Sequence, residues 1–167
     1  MTLRARWVPV LIALAIVLAD RLSKLWIEHR IGDFDSISVI PGLFRIVHTE
    51  NPGAAFGFLA DGNVLLRVIV LIGVSVIVLL FVASALWSRR TSFTAPLSRF
   101  GLALILGGAI GNLWDRIIRG TVTDFIEIYQ GSWTFPAFNV ADSAITVGAV
   151  LLLIDILRPK HKTCTQS

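Results

Sequence analysis

Four apolar stretches, each close to the length of a membrane-spanning helix, constrain this chain more than any other feature of its sequence. A helix needs about 20 residues to cross the hydrocarbon core of a bilayer. The stretches are Trp7 to Trp26, Val64 to Trp87, Leu97 to Trp114 and Phe135 to Leu157. With 55% of the 167 residues hydrophobic and 16% charged, the composition also departs from that of a soluble domain. The sequence therefore predicts an all-α integral membrane protein with four transmembrane helices.

The basic residues predict how these helices are oriented. They lie before the first stretch, between the second and third or at the very start of the third, and after the fourth: Arg4, Arg6, Arg89, Arg90, Arg99, Arg158, Lys160 and Lys162. Cytoplasmic loops carry an excess of Lys and Arg, so we expect both termini to be cytoplasmic and residues 27–63 and 115–134 to face outward. Because these residues accompany apolar runs, the net charge of +4 does not indicate a nucleic-acid partner.

The N-terminal stretch has one rival interpretation, a cleaved signal peptide. Arg4 and Arg6 precede an apolar run, and Val17-Leu18-Ala19 resembles a cleavage site. A cut after Ala19 would remove the helix that presents Asp20, whereas the apolar pattern continues beyond Asp20. We therefore keep this stretch as a span and expect residues 1–167 to form a single membrane domain.

The outward-facing segments carry strand and turn signals. Ser36 to Ile40 and Leu43 to Thr49 flank a Pro41-Gly42 turn, and Thr121 to Tyr129 precedes a second turn at residues 130–132. These patterns predict a small β platform on the outer surface. Within the third stretch, Gly107 and Gly111 have the small-xxx-small spacing that allows helices to approach closely.

Polar residues concentrate at the outer ends of three spans. Each set has the i, i+3, i+4 spacing that places it on one helix face: Asp20, Ser23 and Lys24; Asn112, Asp115 and Arg116; Asn139, Asp142 and Ser143. Taken singly, these residues could be ordinary interfacial side chains, with Asp20 and Lys24 forming a local pair. Three matched faces at one depth favour a shared site, because ionisable groups in spans are costly.

Asp124 and Asp142 are the candidate catalytic pair. Two carboxylates that share one proton can activate a water and protonate a carbonyl oxygen together. We expect no metal, because His29, His48 and His161 have no ligand-like spacing. A Ser23–Lys24 mechanism remains open on chemistry alone, although adjacent helical positions do not face each other.

Five sequence blocks, in order, resemble the signature of the lipoprotein signal peptidase family, or type II signal peptidases. They are Asp20-Arg21-Leu22-Ser23-Lys24, Asn51-Pro52-Gly53-Ala54-Ala55-Phe56, the run from Gly107 to Arg116, Val122-Thr123-Asp124-Phe125, and the run from Phe138 to Ser143. The resemblance extends from Asp20 to about Asp155. Arg21 stands where this family commonly has glutamine, and Pro52 where it commonly has threonine.

The resemblance implies an aspartic endopeptidase that cuts before a diacylglyceryl-modified cysteine of a prolipoprotein. It places the dyad at Asp124 and Asp142. It implies supporting roles for the residues that match around this dyad: Asp20, Lys24, Asn51, Gly53, Asn112, Arg116 and Asn139. We expect no cofactor, contact with membrane lipids and a location in the bacterial inner membrane with the site toward the periplasm. Four helices that carry a complete site favour a monomer.

Two other function classes remain as alternatives. A small ion or proton-coupled transporter would use the buried carboxylates as a relay, but a relay needs polar groups through the full depth of the membrane. The stretches Leu11 to Ala19 and Val147 to Ile154 contain no charged residue. A noncatalytic scaffold would leave the five-block resemblance without an explanation.

Overall fold

A computed structural model describes residues 3–32, 35–53, 64–87 and 95–158, and the side chains from residue 7 onward. The predictions that rest on Arg89, Arg90, Lys160 and Lys162, and on Ala54 to Phe56, lie outside these residues. The elements in chain order are α1 (Leu3–Arg30), β1 (Ser36–Ile40), β2 (Phe44–Asn51), α2 (Val64–Trp87), α3 (Pro96–Arg119), β3 (Val122–Gln130), β4 (Trp133–Thr134) and α4 (Val140–Leu157). The fold is mostly helical with a small antiparallel sheet.

The helix ends differ in part from the predicted spans. The second helix has the predicted limits, whereas α1 and α3 continue past them to Arg30 and Arg119. The fourth helix begins at Val140 rather than Phe135, because Phe138 pairs with β3 instead: its N–H donates to the Ile126 carbonyl at 3.0 Å. Within the described residues, α2, α3 and α4 are long and apolar enough to span a membrane.

The central helix is α3, which packs against α1, α2 and α4. Its glycines explain how closely the backbones approach, as the small-residue spacing predicted. A Cβ atom built at Gly107 would lie 2.7 Å from the Ala13 carbonyl oxygen of α1, and one at Gly111 would lie 2.7 Å from Asp20 Oδ2. Gly108 meets α4 in the same way, at the Ala141 carbonyl. Any larger residue would push the helices apart.

The strands form one antiparallel sheet with the order β1-β2-β3-β4, which confirms the small sheet predicted in these segments. Thr49, Glu50 and Asn51 of β2 lie opposite Asp124, Thr123 and Val122 of β3. A hydrophobic cluster of Ile27, Ile31 and Phe125 joins the sheet to the end of α1. The sheet therefore holds Asp124 directly beside the ends of the helices.

The far ends of α3 and α4 are joined by a polar contact. The Ser98 hydroxyl donates to Asp155 Oδ2, and Ser98 is fully buried. Beside it lies a second hydrophobic cluster that contains Val82 and Leu102. The Asp155 carboxylate is thus occupied by a structural contact at the opposite end of the bundle from the sheet.

Candidate active site

Asp124 lies near the start of β3 and is 2% exposed. Two side-chain amides hold its carboxylate. Asn51 Nδ2, at the end of β2, donates to Oδ2 at 2.9 Å, and Asn139 Nδ2 donates to Oδ1 at 2.7 Å. Because both oxygens accept an N–H, the carboxyl plane is fixed relative to the strand.

Asp142 occupies the third position of α4, where it takes part in a capping box with Asn139. The Asp142 N–H donates to Asn139 Oδ1 at 2.9 Å, and the Asn139 N–H donates to Asp142 Oδ2 at 3.3 Å. Asn112 Nδ2 of α3 donates to the other oxygen, Oδ1, at 2.7 Å. A carboxylate in the first helical turn also gains from the positive end of the helix dipole.

The orientations of the two asparagine amides follow from their partners. The Lys24 ammonium has only donors and lies 3.3 Å from Asn112 Oδ1, so the amide nitrogen of Asn112 faces Asp142. The Asn139 side-chain oxygen accepts the backbone N–H of Asp142, so its nitrogen faces Asp124. Asn139 contacts both candidate catalytic carboxylates, that of Asp124 through its side-chain amide and that of Asp142 through its backbone N–H.

Behind Asn112 lies a buried cluster of charges. Lys24 Nζ, which is fully buried, lies 2.8 Å from Asp20 Oδ2 and 2.7 Å from Asp115 Oδ2. The Asp115 contact is an ion pair without hydrogen-bond alignment. Arg21 NH1 approaches Asp115 Oδ1 at 3.2 Å, and Asp20 Oδ1 accepts the Ala141 N–H of α4 at 2.9 Å. The cluster holds two carboxylates and two cations, so its charges balance.

Gly53 and Arg116 close the side of the site that faces β2. The Gly53 N–H donates to Asn51 Oδ1 at 2.9 Å, which orients the Asn51 amide toward Asp124. Arg116 NH2 donates to the Gly53 carbonyl and NH1 to the Asn112 carbonyl, both at 3.4 Å. The guanidinium thus links α3 to the segment after β2.

A groove of about 890 Å³ opens over the two carboxylates. Asp124, Asp142 and Arg116 lie among its polar lining residues, while Phe135, Ile145 and Val147 form part of its apolar wall. Ligand pockets commonly combine an apolar wall with a few convergent polar groups. The site has the shape and polarity to hold an extended, partly apolar chain against the two acids.

Burial and then the negative charge of Asp142 raise the pKa of Asp124 to about 7, against the opposing hydrogen bonds from Asn51 and Asn139. A carboxyl with this pKa holds a proton through much of the range below neutral pH. One protonated and one ionised carboxyl can donate and accept protons in the same step.

All nine residues proposed from the sequence belong to one connected network of hydrogen bonds and ion pairs. Asp115 was expected on a polar face of the shared site but was given no role, and Arg21 was not proposed as a site residue, although both belong to the buried charge cluster. The spacing of Asp115 from Asn112 was the available signal for one of them. No comparable signal existed for Arg21, because its partner lies on another helix.

Comparisons of the sequence with known proteins all indicate the same family. The sequence pattern of the family described as signal peptidase (SPase) II matches residues 12–158. A lipoprotein signal peptidase of Solibacter usitatus is 44% identical over 162 residues, covering 97% of this chain and 98% of that protein. One of Pseudomonas syringae pv. tomato is 45% identical over 156 residues, covering 92% and 86%.

Two solved structures of bacterial membrane enzymes are also similar. One has a TM-score of 0.82 at 28% identity, covering 95% of this chain and 93% of the solved one. The other has a TM-score of 0.76 at 30% identity, covering 90% and 92%. The likeness thus extends over nearly the whole fold.

Proposed function

The chain belongs to the signal peptidase II family, and from this premise we propose that Asp124 and Asp142 are the catalytic dyad of an aspartic endopeptidase. The protein is a peptidase that removes the signal peptide from prolipoproteins. The observation that supports the dyad best is that Asn139 contacts both carboxylates, which line the groove together. The transporter alternative has no support from these relatives.

In the proposed reaction, Asp142 begins ionised and Asp124 protonated. Asp142 takes a proton from water as the water oxygen bonds to the scissile carbonyl carbon, and Asp124 donates its proton to the carbonyl oxygen. The resulting diol returns a proton to Asp124, Asp142 protonates the amide nitrogen, and the C–N bond breaks. Both acids end in their starting states, so the cycle consumes only water and peptide.

The surrounding amides favour this assignment of roles. Asp142 accepts N–H donors from Asn112 and from the backbone of Asn139 at a helix N-terminus, an arrangement that suits a negative charge. Asp124 has the raised pKa that a proton donor needs near neutral pH. Arg116 lines the groove together with both acids, where it would orient the peptide backbone.

The substrate class determines the depth of the site. A diacylglyceryl-modified cysteine gains about 0.8 kcal/mol for each CH₂ buried in the membrane, so it does not leave the bilayer readily. The groove continues from Asp142 along α4 past Ile145 and Val147, which offers an apolar path toward the bilayer. We propose that the acyl chains stay in lipid while the scissile bond reaches the dyad.

We propose that α1 is the fourth membrane-spanning helix. Its exposed face carries Leu11 and Leu22, at 61% and 65%, whereas Asp20 and Lys24 are at most 1% exposed. An apolar outside with a buried polar face is the arrangement that a bilayer favours. With the Lys and Arg distribution, both termini are cytoplasmic and the dyad faces the periplasm of the inner membrane. A complete site within one chain is consistent with a monomer.

Cleavage of a diacylglyceryl-modified prolipoprotein peptide by purified protein in bilayers tests the dyad. Asp124→Asn and Asp142→Asn should each lower kcat by roughly 10³-fold or more, because the acids act as one unit. Asp155→Asn is the matched control, since its carboxylate bonds Ser98 far from the groove, and it should cleave as the wild type does. Equal cleavage by all four proteins would overturn the assignment.

A further inference from the structure

A second polar cluster lies on the side of β3 away from the groove. It consists of Glu28 at the end of α1, Arg119 at the end of α3, Glu50 of β2 and Thr123 of β3, and we call it the Thr123 clamp. We infer that the Thr123 clamp positions Asp124 for catalysis. This inference rests on the proposed role of Asp124 and assigns a task to four residues outside the dyad and its amides.

The contacts of the clamp converge on one buried hydroxyl. Thr123 is fully buried, and its Oγ1 lies 3.2 Å from Glu28 Oε1, 3.3 Å from Glu50 Oε1 and 3.3 Å from Arg119 NH1. Arg119 also donates to both Glu28 oxygens, with NH2 at 2.6 Å from Oε2. A hydroxyl carries one proton, so Thr123 accepts from Arg119 and donates to one carboxylate at a time.

The clamp is coupled to Asp124 through the alignment of β2 with β3. Glu50 lies opposite Thr123, and Thr49 lies opposite Asp124. Asn51, one residue further along β2, donates to the Asp124 carboxylate at 2.9 Å. A shift of one residue in this pairing would move every side chain to the other face. The Glu50–Thr123 contact therefore stabilises the alignment that brings Asn51 to Asp124.

The Thr123 backbone gives a second connection. Its carbonyl oxygen accepts from Asn139 Nδ2 at 3.4 Å, and the same nitrogen donates to Asp124. A displacement of Thr123 would thus change the position of the Asn139 side-chain amide, which donates to the Asp124 carboxylate and accepts the backbone N–H of Asp142. None of the four clamp residues lines the groove, so the clamp acts on catalysis through β3 rather than through the substrate.

Steady-state kinetics on a lipidated prolipoprotein peptide separate positioning from a purely structural role. Thr123→Val keeps the shape of the side chain but removes the hydroxyl, and it should lower kcat about 10- to 100-fold, in line with small displacements of catalytic groups. KM should stay within about twofold, and Thr123→Ser should restore kcat to within about threefold of wild type. Kinetic constants are expressed per folded protein, measured by thermal unfolding.

Wild-type kcat in Thr123→Val, or a raised KM with unchanged kcat, would overturn the clamp. If Thr123→Val does not fold, an exchange of the charges of Arg119 and Glu28 tests the inference instead. Arg119→Glu should lower kcat, and the double variant that adds Glu28→Arg should recover it. Failure of the exchange to recover kcat would also overturn the inference. Asp124→Asn in the same assay separates the two proposals, because an active Asp124→Asn refutes the dyad, whereas an inactive one beside a fully active Thr123→Val refutes only the clamp.

Discussion

Removal of the Asn51 amide should raise the pH at which activity is lost. Asn51 Nδ2 donates to Asp124 Oδ2 at 2.9 Å, and this hydrogen bond favours the ionised form of Asp124. Leucine has a similar size but no donor. In Asn51→Leu the pKa of Asp124, which is about 7 in the wild type, should therefore move upward.

The size of the shift follows from the energy of the lost contact. A hydrogen bond to a charged group contributes about 1.5–3 kcal/mol, and one pKa unit corresponds to about 1.4 kcal/mol. The expected upward shift is therefore about one to two units. Because activity requires the proton on Asp124, the alkaline limb of kcat/KM should move from about pH 7 to about pH 8–9.

The measurement is kcat/KM against pH between about 5 and 10 for cleavage of a lipidated prolipoprotein peptide. Overall activity should also fall, because Asn51 orients the carboxylate and accepts from the Gly53 N–H, but the limb position is independent of that loss. Ser84→Ala on exposed helix α2, where the hydroxyl donates to the Phe81 carbonyl of the same helix, is the control and should leave the limb unchanged. A limb that stays in place or moves to lower pH in Asn51→Leu would show that the Asn51 hydrogen bond does not control the protonation of Asp124.

Three further predictions concern stability, each measured as the free energy of unfolding in detergent. Gly107→Ala should lower it by about 1–3 kcal/mol, because the added Cβ would lie 2.7 Å from a backbone oxygen of α1. Gly73→Ala should raise it by up to about 1 kcal/mol, because a Cβ built there has no neighbour within 4 Å among the described residues. Equal effects of the two variants would contradict the packing argument. Lys24→Met should cost about 3–5 kcal/mol, since it leaves two buried carboxylates without their shared cation, and a neutral result would show that the cluster is solvated. In the wild type the folded state keeps the Asp124 proton up to about pH 7 and the unfolded state loses it near the ordinary value of 3.8, so stability should fall as pH rises between these values; Asp124→Asn should lack this slope.

The sequence determined which residues could take part in the site. The i, i+3, i+4 spacing on three apolar stretches selected Asp20, Asn112 and Asp142 without knowledge of the fold, because helix periodicity alone decides which side chains share a face. The same local reasoning predicted the strands and turns of the platform. It also predicted the close helix approach at Gly107, since only small residues allow it.

Local pattern did not determine where the fourth helix begins. The apolar residues from Phe135 onward favoured an early start, but Phe138 forms backbone hydrogen bonds with β3, and the helix begins only after the Asn139 cap. Pairing with a strand twelve residues earlier is a tertiary event, and it takes precedence over local hydropathy. It is also what places Asn139 between the two acids.

The partners of the buried charges were likewise decided only by the tertiary structure. Arg21 pairs with Asp115 across 94 residues of sequence, and Thr123 contacts Glu28 across 95. Such pairs arise where the ends of different elements meet, and a single sequence carries no periodic signal for them. The sequence therefore determined the chemistry available to this protein, whereas the packing of α3 against α1 and α4 decided which groups neutralise, orient and protonate one another, because those effects depend on distances of a few ångströms.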